Sequence, residues 1–421
     1  MPPFDPVPGI ILLAVFALIA VRQVGTLRLA IWQIMLGGAL AALLSGSIGP
    51  SRALSSIDID VMVFLFGMFV VGEAMVESRY LHHIADRLFR SARSASALVL
   101  YILFIMAFFS AVLMNDTVAI IGTPLMLSFA KKHGIKHKLL LLTLCFAITI
   151  GSVVSPIGNP QNLLIALHGG IANPFVTFFK YLAVPTIINL FLTFFVLRIF
   201  FREEFHAVRL LHPAEEVSDR ALAWLCRLSI AVILIMVAIK VGSVFLEFDF
   251  GLKLTYIALA AAAPVMISSP RRLDILRKID WHTLFFFASM FVLMASVWDS
   301  GLIQRLAAGW SGAGSHVSIL ALSVLLSQLL SNVPFVALYL PVLDVAGGAL
   351  TDLMALAAGS TIAGNLLVLG AASNIIVIQN SEKNGVEGLS FLDFARVGVP
   401  LTIANTAVYW AYFELILHIP A

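Results

Sequence analysis

The sequence predicts an all-α polytopic membrane protein of two inverted repeats, each with five spanning segments and one re-entrant hairpin, and with broken helices at mid-membrane. Three observations predict it: a composition suited to lipid, a second half that repeats the first, and polar breaks inside apolar runs.

Of 421 residues, 61% are hydrophobic and 12% are charged, whereas a soluble domain carries about 25% charged residues. Mean hydropathy is +1.02. Such a chain belongs in lipid, and most of its apolar runs approach the ~20 residues that a helix needs to cross ~30 Å of hydrocarbon. Cys145 and Cys226 lie in or beside apolar segments with no pairing pattern, so they read as buried small hydrophobes. The first run, residues 9–21, has Asp5 and no Lys or Arg before it. It lacks the basic lead of a cleaved signal peptide and reads as a retained helix.

Hydropathy with charged boundaries places spans at 8–21, 29–48, 59–77, 139–167, 178–200, 222–242, 253–269, 282–299, 354–379 and 397–417. Two regions do not fit a simple crossing. Residues 95–130 hold two apolar arms joined by Asn115-Asp116-Thr117, and residues 317–343 hold two shorter arms joined by Ser331-Asn332-Val333-Pro334. Arg79, Arg87, Arg90 and Arg93 precede the first hairpin and Lys131, Lys132, Lys136 and Lys138 follow it, so both of its ends are cytoplasmic. The second hairpin is bordered by Arg305 alone on one side and by Asp344 and Asp352 on the other, so both of its ends lie outside. The two hairpins therefore enter from opposite faces.

Repetition supports the inversion. Asp58, Met68-Phe69 and Ser78 recur 222 residues later as Asp280, Met290-Phe291 and Ser300. Asn115 and Pro124 recur 217 later as Asn332 and Pro341, and Gly158 and Asn162 recur 212 later as Gly370 and Asn374. Pro185 is answered by Pro400. An odd number of spans per half turns the second copy over, which relates the halves by a pseudo-two-fold in the membrane plane. The organisation expected is a first repeat over 1–201 (hairpin 95–130, broken helix 139–167), a charged cytoplasmic linker over 202–220, and a second repeat over 221–421 (hairpin 317–343, broken helix 354–379). Both termini then lie outside the cytoplasm of a bacterial inner membrane. Residues 79–93, basic and apolar at helical spacing, read as an interfacial amphipathic helix.

The stretch Pro156-Ile157-Gly158-Asn159-Pro160-Gln161-Asn162 interrupts one of these spans. Non-helical backbone at membrane depth is tolerated only beside protein or a water-filled cavity, because an unsatisfied polar group in hydrocarbon costs several kcal/mol. The prolines remove donors and free carbonyls for a cation, and the amides of Asn159, Gln161 and Asn162 add further oxygens. Gly370-Ala371-Ala372-Ser373-Asn374 is its proline-free counterpart. Hairpin arms restarting at Val118 and after Pro334 aim helix N-termini at the same depth. Capping alone is the competing role for Asn162, Asn374 and Asp116. Asp116, ionisable at membrane depth, is a functional candidate by position. It either carries a coupling proton or stays ionised as a sodium ligand. No metalloprotease motif and no phosphate-binding Gly-rich loop appears, so no enzyme is expected.

At these residues the chain resembles the ion transporter superfamily, which includes the divalent-anion/sodium symporters and the arsenite permeases with their sodium/proton antiporter relatives. The resemblance covers 58–200 and 280–417 most clearly. It implies a first cation site with Asn115 and Asn162, a second with Asn332 and Asn374, and an anion near Thr117 and Ser373. The expected substrate-binding set is Asn115, Asp116, Thr117, Ser331, Asn332 and Ser373. The expected coupling-ion set is Asn115, Asp116, Gly158, Asn159, Asn162, Asn332, Gly370 and Asn374. Asp116 stands where the symporters carry the middle Asn of their tip, as in arsenite permeases, and Val333 removes the second tip's hydroxyl. The resemblance also implies an elevator mechanism, a homodimer, no cofactor beyond a coupling sodium ion, and no nucleic-acid partner. The function expected is secondary transport of a small anion driven by sodium or protons. The alternatives are an arsenite-type permease or cation/proton antiporter using Asp116 and, more remotely, an intramembrane enzyme or receptor-like binding protein.

Overall fold

The ten helices of the first half and the ten of the second follow one plan, as seen in a computed structural model that describes residues 5–21, 23–24, 27–89, 92–205, 219–245, 251–308 and 315–417. The first half runs α1 Val7–Val21, α2 Ile31–Leu44, α3 Pro50–Ser56, α4 Ile59–Ser78, α5 Tyr80–Phe89, α6 Ala95–Val112, α7 Asn115–His133, α8 His137–Ser152, α9 Pro160–His168 and α10 Pro174–Phe200. The second runs α11 Arg220–Phe245, α12 Leu254–Ser268, α13 Arg272–Lys278, α14 Trp281–Asp299, α15 Leu302–Ala308, α16 His316–Leu330, α17 Asn332–Val345, α18 Leu350–Ile362, α19 Ala372–Lys383 and α20 Phe391–Leu417. Two two-residue strands, β1 Gln23–Val24 and β2 Leu27–Arg28, are the only strands among the described residues.

The shared plan extends to local chemistry. Asp58 caps α4 by accepting the Val61 N–H at 2.9 Å, and Asp280 caps α14 by accepting the Thr283 N–H at 3.0 Å. Ser94 and Ser315 cap α6 and α16 in the same way. Arg79 and Gly301, 222 positions apart, both turn the chain with positive φ (55° and 75°) after α4 and α14. Glycine takes that conformation freely, and an L-residue gives up about 1–2 kcal/mol to do so.

Packing crosses the halves. α4 rests on α11 and α12, and α14 rests on α1 and α2, which makes one layer of α1–α4 and α11–α14. The remaining long helices form a bundle in which α8 packs on α6 and α7, α18 packs on α16 and α17, and α7 meets α19 as α17 meets α9. From Leu139 to Ser152 every residue of α8 is buried, as a helix apolar on all sides requires. α10 and α11, in contrast, present Phe179, Ile187, Phe191, Trp224 and Ile235 outward, surface that suits lipid and not water. Among the described residues five helices, α4, α6, α10, α11 and α14, are long and apolar enough to cross a membrane. α6, the first arm of the expected hairpin, is among them and is as long as a full span.

Ion pairs fall into two groups. Glu77 with Arg271 and Lys278, Lys138 with Asp393, and Lys136 with Glu203 and Glu204 join residues that the expected topology places on the cytoplasmic face. Arg52–Asp299, Lys253–Asp60 and His168–Asp58 join residues that it places outside. None of these pairs links the two faces.

Two expectations change. The tips of the expected hairpins are tighter than the sequence implied: α7 begins at Asn115 rather than Val118, and α17 begins at Asn332 rather than after Pro334. An acidic residue in a first turn suits the helix dipole, and a proline in that turn gives up no hydrogen bond, so neither residue ends a helix there. Most of the expected linker, residues 206–218, and both termini lie outside the described residues. The amphipathic stretch is the helix α5.

Candidate functional site

Both expected breaks are present. α8 stops at Ser152 and α9 starts at Pro160, the first helical position, where a missing N–H costs nothing. Asn159 caps α9 by accepting the Asn162 N–H at 2.9 Å. The carbonyls released by the break are taken up: Asn162 Nδ2 donates to Ser152 O (3.1 Å), Val153 O (3.2 Å) and Ser155 O (3.1 Å). Thr361, from the other half, donates to Asn162 Oδ1 at 3.3 Å and accepts from Asn159 Nδ2 and Gln161 Nε2. The first tip joins this network, since Asn115 N donates to Gly158 O at 2.9 Å. Gly158 permits the contact, because a Cβ there would meet Ser152 O at 2.6 Å and Ser110 O at 3.0 Å.

In the second half α18 stops at Ile362, two 3-10 turns (Ala363–Asn365 and Val368–Gly370) follow, and α19 starts at Ala372. Asn374 Nδ2 donates to Gly364 O at 2.7 Å, repeating the Asn162–Ser152 bond 212 residues on. Here the likeness stops. Asn374 Oδ1, Ser373 Oγ, Asn332 Oδ1 and Thr149 Oγ1 are buried with no hydrogen-bond partner among the described residues.

A cavity of about 640 Å³ lies where the N-termini of α7, α9, α17 and α19 converge, touched by Asp116, Pro160, Ser331 and Ala372 respectively. Its far wall is the start of α2 and α14, with Trp32, Asp280, His282 and Thr283, and Trp32 and His282 stack at 5.1 Å. Gln379 of α19 completes the polar lining, and no Lys or Arg takes part among the described residues.

Of the expected substrate-binding and coupling-ion residues, Asp116 and Ser331 line this cavity, and the others do not. Asn115, Asn159, Asn162, Asn332, Ser373 and Asn374 are buried behind it, at the breaks and tips, with Gly158 and Gly370. Thr117 points elsewhere: it packs on Gly72 of α4, where an added Cβ would lie 2.6 Å from its Oγ1.

Sequence reasoning missed the wall residues Trp32, Asp280 and His282, because Asp280 was used only as a repeat marker. It also missed a buried chain in which Asn365 donates to Asn405 at 3.3 Å and Asn405 donates to Asn189 at 2.9 Å. A signal was available: Asn189 and Asn405 follow Pro185 and Pro400 by four and five residues.

Comparison with known proteins gives the family. Residues 12–351 match the family described as citrate transporter. The chain is 27% identical over 382 residues to a 46 kDa membrane protein of Mycobacterium leprae, covering 86% of this chain and 87% of that one. It is 25% identical over 439 residues to the silicon efflux transporter LSI3 of rice, covering 88% and 90%. Among solved structures it resembles the Alcanivorax borkumensis YdaH transporter, with a TM-score of 0.59 at 14% identity and coverage of 97% and 96%. It also resembles Neisseria gonorrhoeae MtrF, with a TM-score of 0.51 at 13% identity and coverage of 97% and 94%. These two structures speak for the fold. An all-helical membrane chain with paired broken helices around one cavity, matched over most of its length, belongs to the citrate transporter family, within the ion transporter superfamily, and is a transporter rather than an enzyme.

Proposed function

We propose that the protein is a secondary active transporter that moves a small anion across the bacterial inner membrane, coupled to sodium or protons, by movement of the α6–α10/α16–α20 bundle against the α1–α4/α11–α14 layer. The observation that carries this reading is the convergence of four helix N-termini on one cavity. Each brings the positive end of a helix dipole to the cavity, and together they favour an anion where no Lys or Arg stands among the described lining residues. Half-helix ends meeting in a bundle interior are how transporters build such sites. The names of the matched family and of the rice relative, a citrate transporter and a silicon efflux transporter, support small oxygen-rich solutes as the class.

The inverted topology is part of the proposal. With the basic loops inside, Asp280 and the cavity mouth face the cytoplasm beside Arg271, Arg272, Arg277 and Lys278, and Asp58–His168 closes the outer side. The N- and C-termini then lie outside, and the assembly is a homodimer.

A second reading, an arsenite-type permease or cation/proton antiporter using Asp116, draws on one observation: the ionisable groups lining the cavity are Asp116, Asp280 and His282. Counterflow in proteoliposomes separates the two. Preloading with citrate, succinate or phosphate accelerates exchange of the labelled anion on the first reading. Exchange only of cations, or of an uncharged weak acid such as arsenous acid, supports the second and contradicts the first.

A further inference from the structure

We infer that the substrate is a singly charged carboxylate with an apolar, ring-bearing body, and that Trp32 and Phe286 on the far wall of the cavity select it over compact or multiply charged anions. The inference rests on the reading of the protein as an anion transporter and adds the substrate class and the residues that determine it.

The two sides of the cavity differ in chemistry. On the bundle side stand the four helix N-termini with Asp116 and Ser331. The layer side is built from Ile31 and Trp32 of α2 and Phe286 of α14, and Ile375 and Ile376 of α19 carry the apolar surface across to the bundle. All five of these apolar residues line the space and are only half-buried. The local sequence accounts for the wall. His282 and Phe286 are four residues apart and share one face of α14. Trp32 reaches across from α2 to stack on His282 at 5.1 Å and lies 6.3 Å from Phe285, while Phe286 packs edge-on against Phe287 at 5.4 Å. Rings supported in this way hold their positions before a ligand arrives, so little ordering is left for binding to impose.

A compact oxyanion uses only one of these sides. Seated at the helix ends, phosphate or citrate leaves Trp32, Phe286 and the isoleucines against water, and any oxygen it turns to that wall loses hydrogen bonds to water without replacement. A solute with a carboxylate at one end and an apolar body at the other satisfies both sides. Its oxygens face the positive helix ends, and its body takes apolar surface, its own and that of the wall, out of water. Size agrees: a cavity of about 640 Å³ falls within the ~300–1,000 Å³ range of sites that enclose drug-sized ligands. Charge limits the solute to one carboxylate. Asp116 and Asp280 both line the cavity, and Asp280 is held there by accepting the Thr283 N–H at 3.0 Å and its hydroxyl at 2.5 Å. Each further negative charge on the solute adds repulsion from these groups in a space that protein walls screen less than water does.

The test is ligand binding to the purified full-length protein, read by calorimetry and by the rise in unfolding temperature, with acetate, phenylacetate, phenylacetamide and citrate as probes. Phenylacetate binds about tenfold or more tightly than acetate or citrate. Phenylacetamide, which keeps the ring and loses the charge, binds about tenfold more weakly than phenylacetate. Trp32→Ala lowers phenylacetate affinity about tenfold and leaves acetate affinity within about twofold, while Trp32→Phe keeps the preference. Should Trp32→Ala not fold, Phe286→Ala gives the same selective loss. The inference is overturned by equal affinity for acetate and phenylacetate, by citrate binding more tightly than phenylacetate, or by a preference for phenylacetate that survives in Trp32→Ala or, where that variant does not fold, in Phe286→Ala. Counterflow separates its failure from that of the anion reading. Exchange of citrate or phosphate above that of protein-free liposomes, with none of phenylacetate, overturns the inference and leaves anion transport intact. A protein that binds phenylacetate and phenylacetamide alike and exchanges no anion overturns both.

Discussion

Asp58 and His168 meet at 2.9 Å and tie the N-terminus of α4, in the outer layer, to the last turn of α9, in the bundle. The repeat partner of Asp58 is Asp280, which instead lines the cavity and bonds within its own helix to Thr283. One aspartate ties the layer to the bundle while its counterpart borders the cavity, an asymmetry that fits the alternating access proposed above.

Asp58→Asn keeps the helix cap and removes the ion pair. A partly exposed pair of this kind contributes about 0.5–1 kcal/mol, so stability changes little. Outward opening, however, rises about threefold, because a closing equilibrium shifts by the full differential energy. The measurement is the rate at which an impermeant maleimide labels a cysteine at Leu167 in a background lacking Cys145 and Cys226. An unchanged rate removes the latch. Burial acts to raise the Asp58 pKa, but the hydrogen bond from His168, the Val61 N–H and the His168 charge outweigh it and hold it below the ordinary value. Its contribution to stability is therefore present above the unfolded pKa of about 3.9 and is lost only as pH falls through the lower folded value. Between pH 5 and 8 Asp58 stays charged.

Because Asp116 lines the cavity, its expected role is to carry a proton that permits the anion to bind among the four helix ends. Asp116→Asn should erase the pH dependence of transport between about pH 5 and 8 and leave sodium dependence unchanged. Initial rates against pH and against sodium decide it. A loss of sodium affinity with an intact pH profile makes Asp116 a sodium ligand instead.

The two asparagines of the breaks should part in their effects. Asn162→Ala strands three buried carbonyls and a threonine hydroxyl, a loss of about 2–5 kcal/mol that lowers the unfolding temperature by several degrees. Asn374→Ala strands one carbonyl, costs about 1–2 kcal/mol, and acts chiefly on sodium affinity. Equal destabilisation by both, seen in thermal melts, contradicts the asymmetry between the halves.

Cysteines placed at Lys132 and at Asp344, both exposed, should label from opposite sides of the membrane in the same cysteine-free background. Cys145 and Cys226 are buried, so their removal opens no reactive surface. Same-side labelling rules out the inverted topology.

Much of this was legible in the sequence because bilayer physics narrows the choices. Two prolines, a glycine and three amides in an apolar run can only mark a break that protein surrounds, and the break is there between Ser152 and Pro160. Of the offsets read from Asp58, Asn115 and Gly158, the first joins two aspartates that each cap a helix, Asp58 and Asp280. What could not be read was the direction of each amide. Sequence placed Asn162 and Asn374 alike as oxygen donors to cations, yet Asn162 turns its nitrogen to three carbonyls because Thr361 and Asn159 complete the network around it. That depends on contacts between segments some 200 residues apart. Tip boundaries were misplaced by three residues for a local reason, since Asp116 and Pro334 look like helix breakers until they are seen in a first turn. The cavity wall was invisible for the same non-local reason: Trp32 and His282 lie 250 residues apart and come together only because α2 packs on α14.

The measurement that bears most directly on the account is gradient-driven accumulation of a labelled small anion in proteoliposomes of the wild-type protein, taken through the anions that give counterflow. An inward sodium or proton gradient should raise internal anion above its equilibrium level, and collapse of that gradient with an ionophore should release it. Accumulation that ignores both gradients, or that matches protein-free liposomes for every anion, contradicts cation-coupled anion transport.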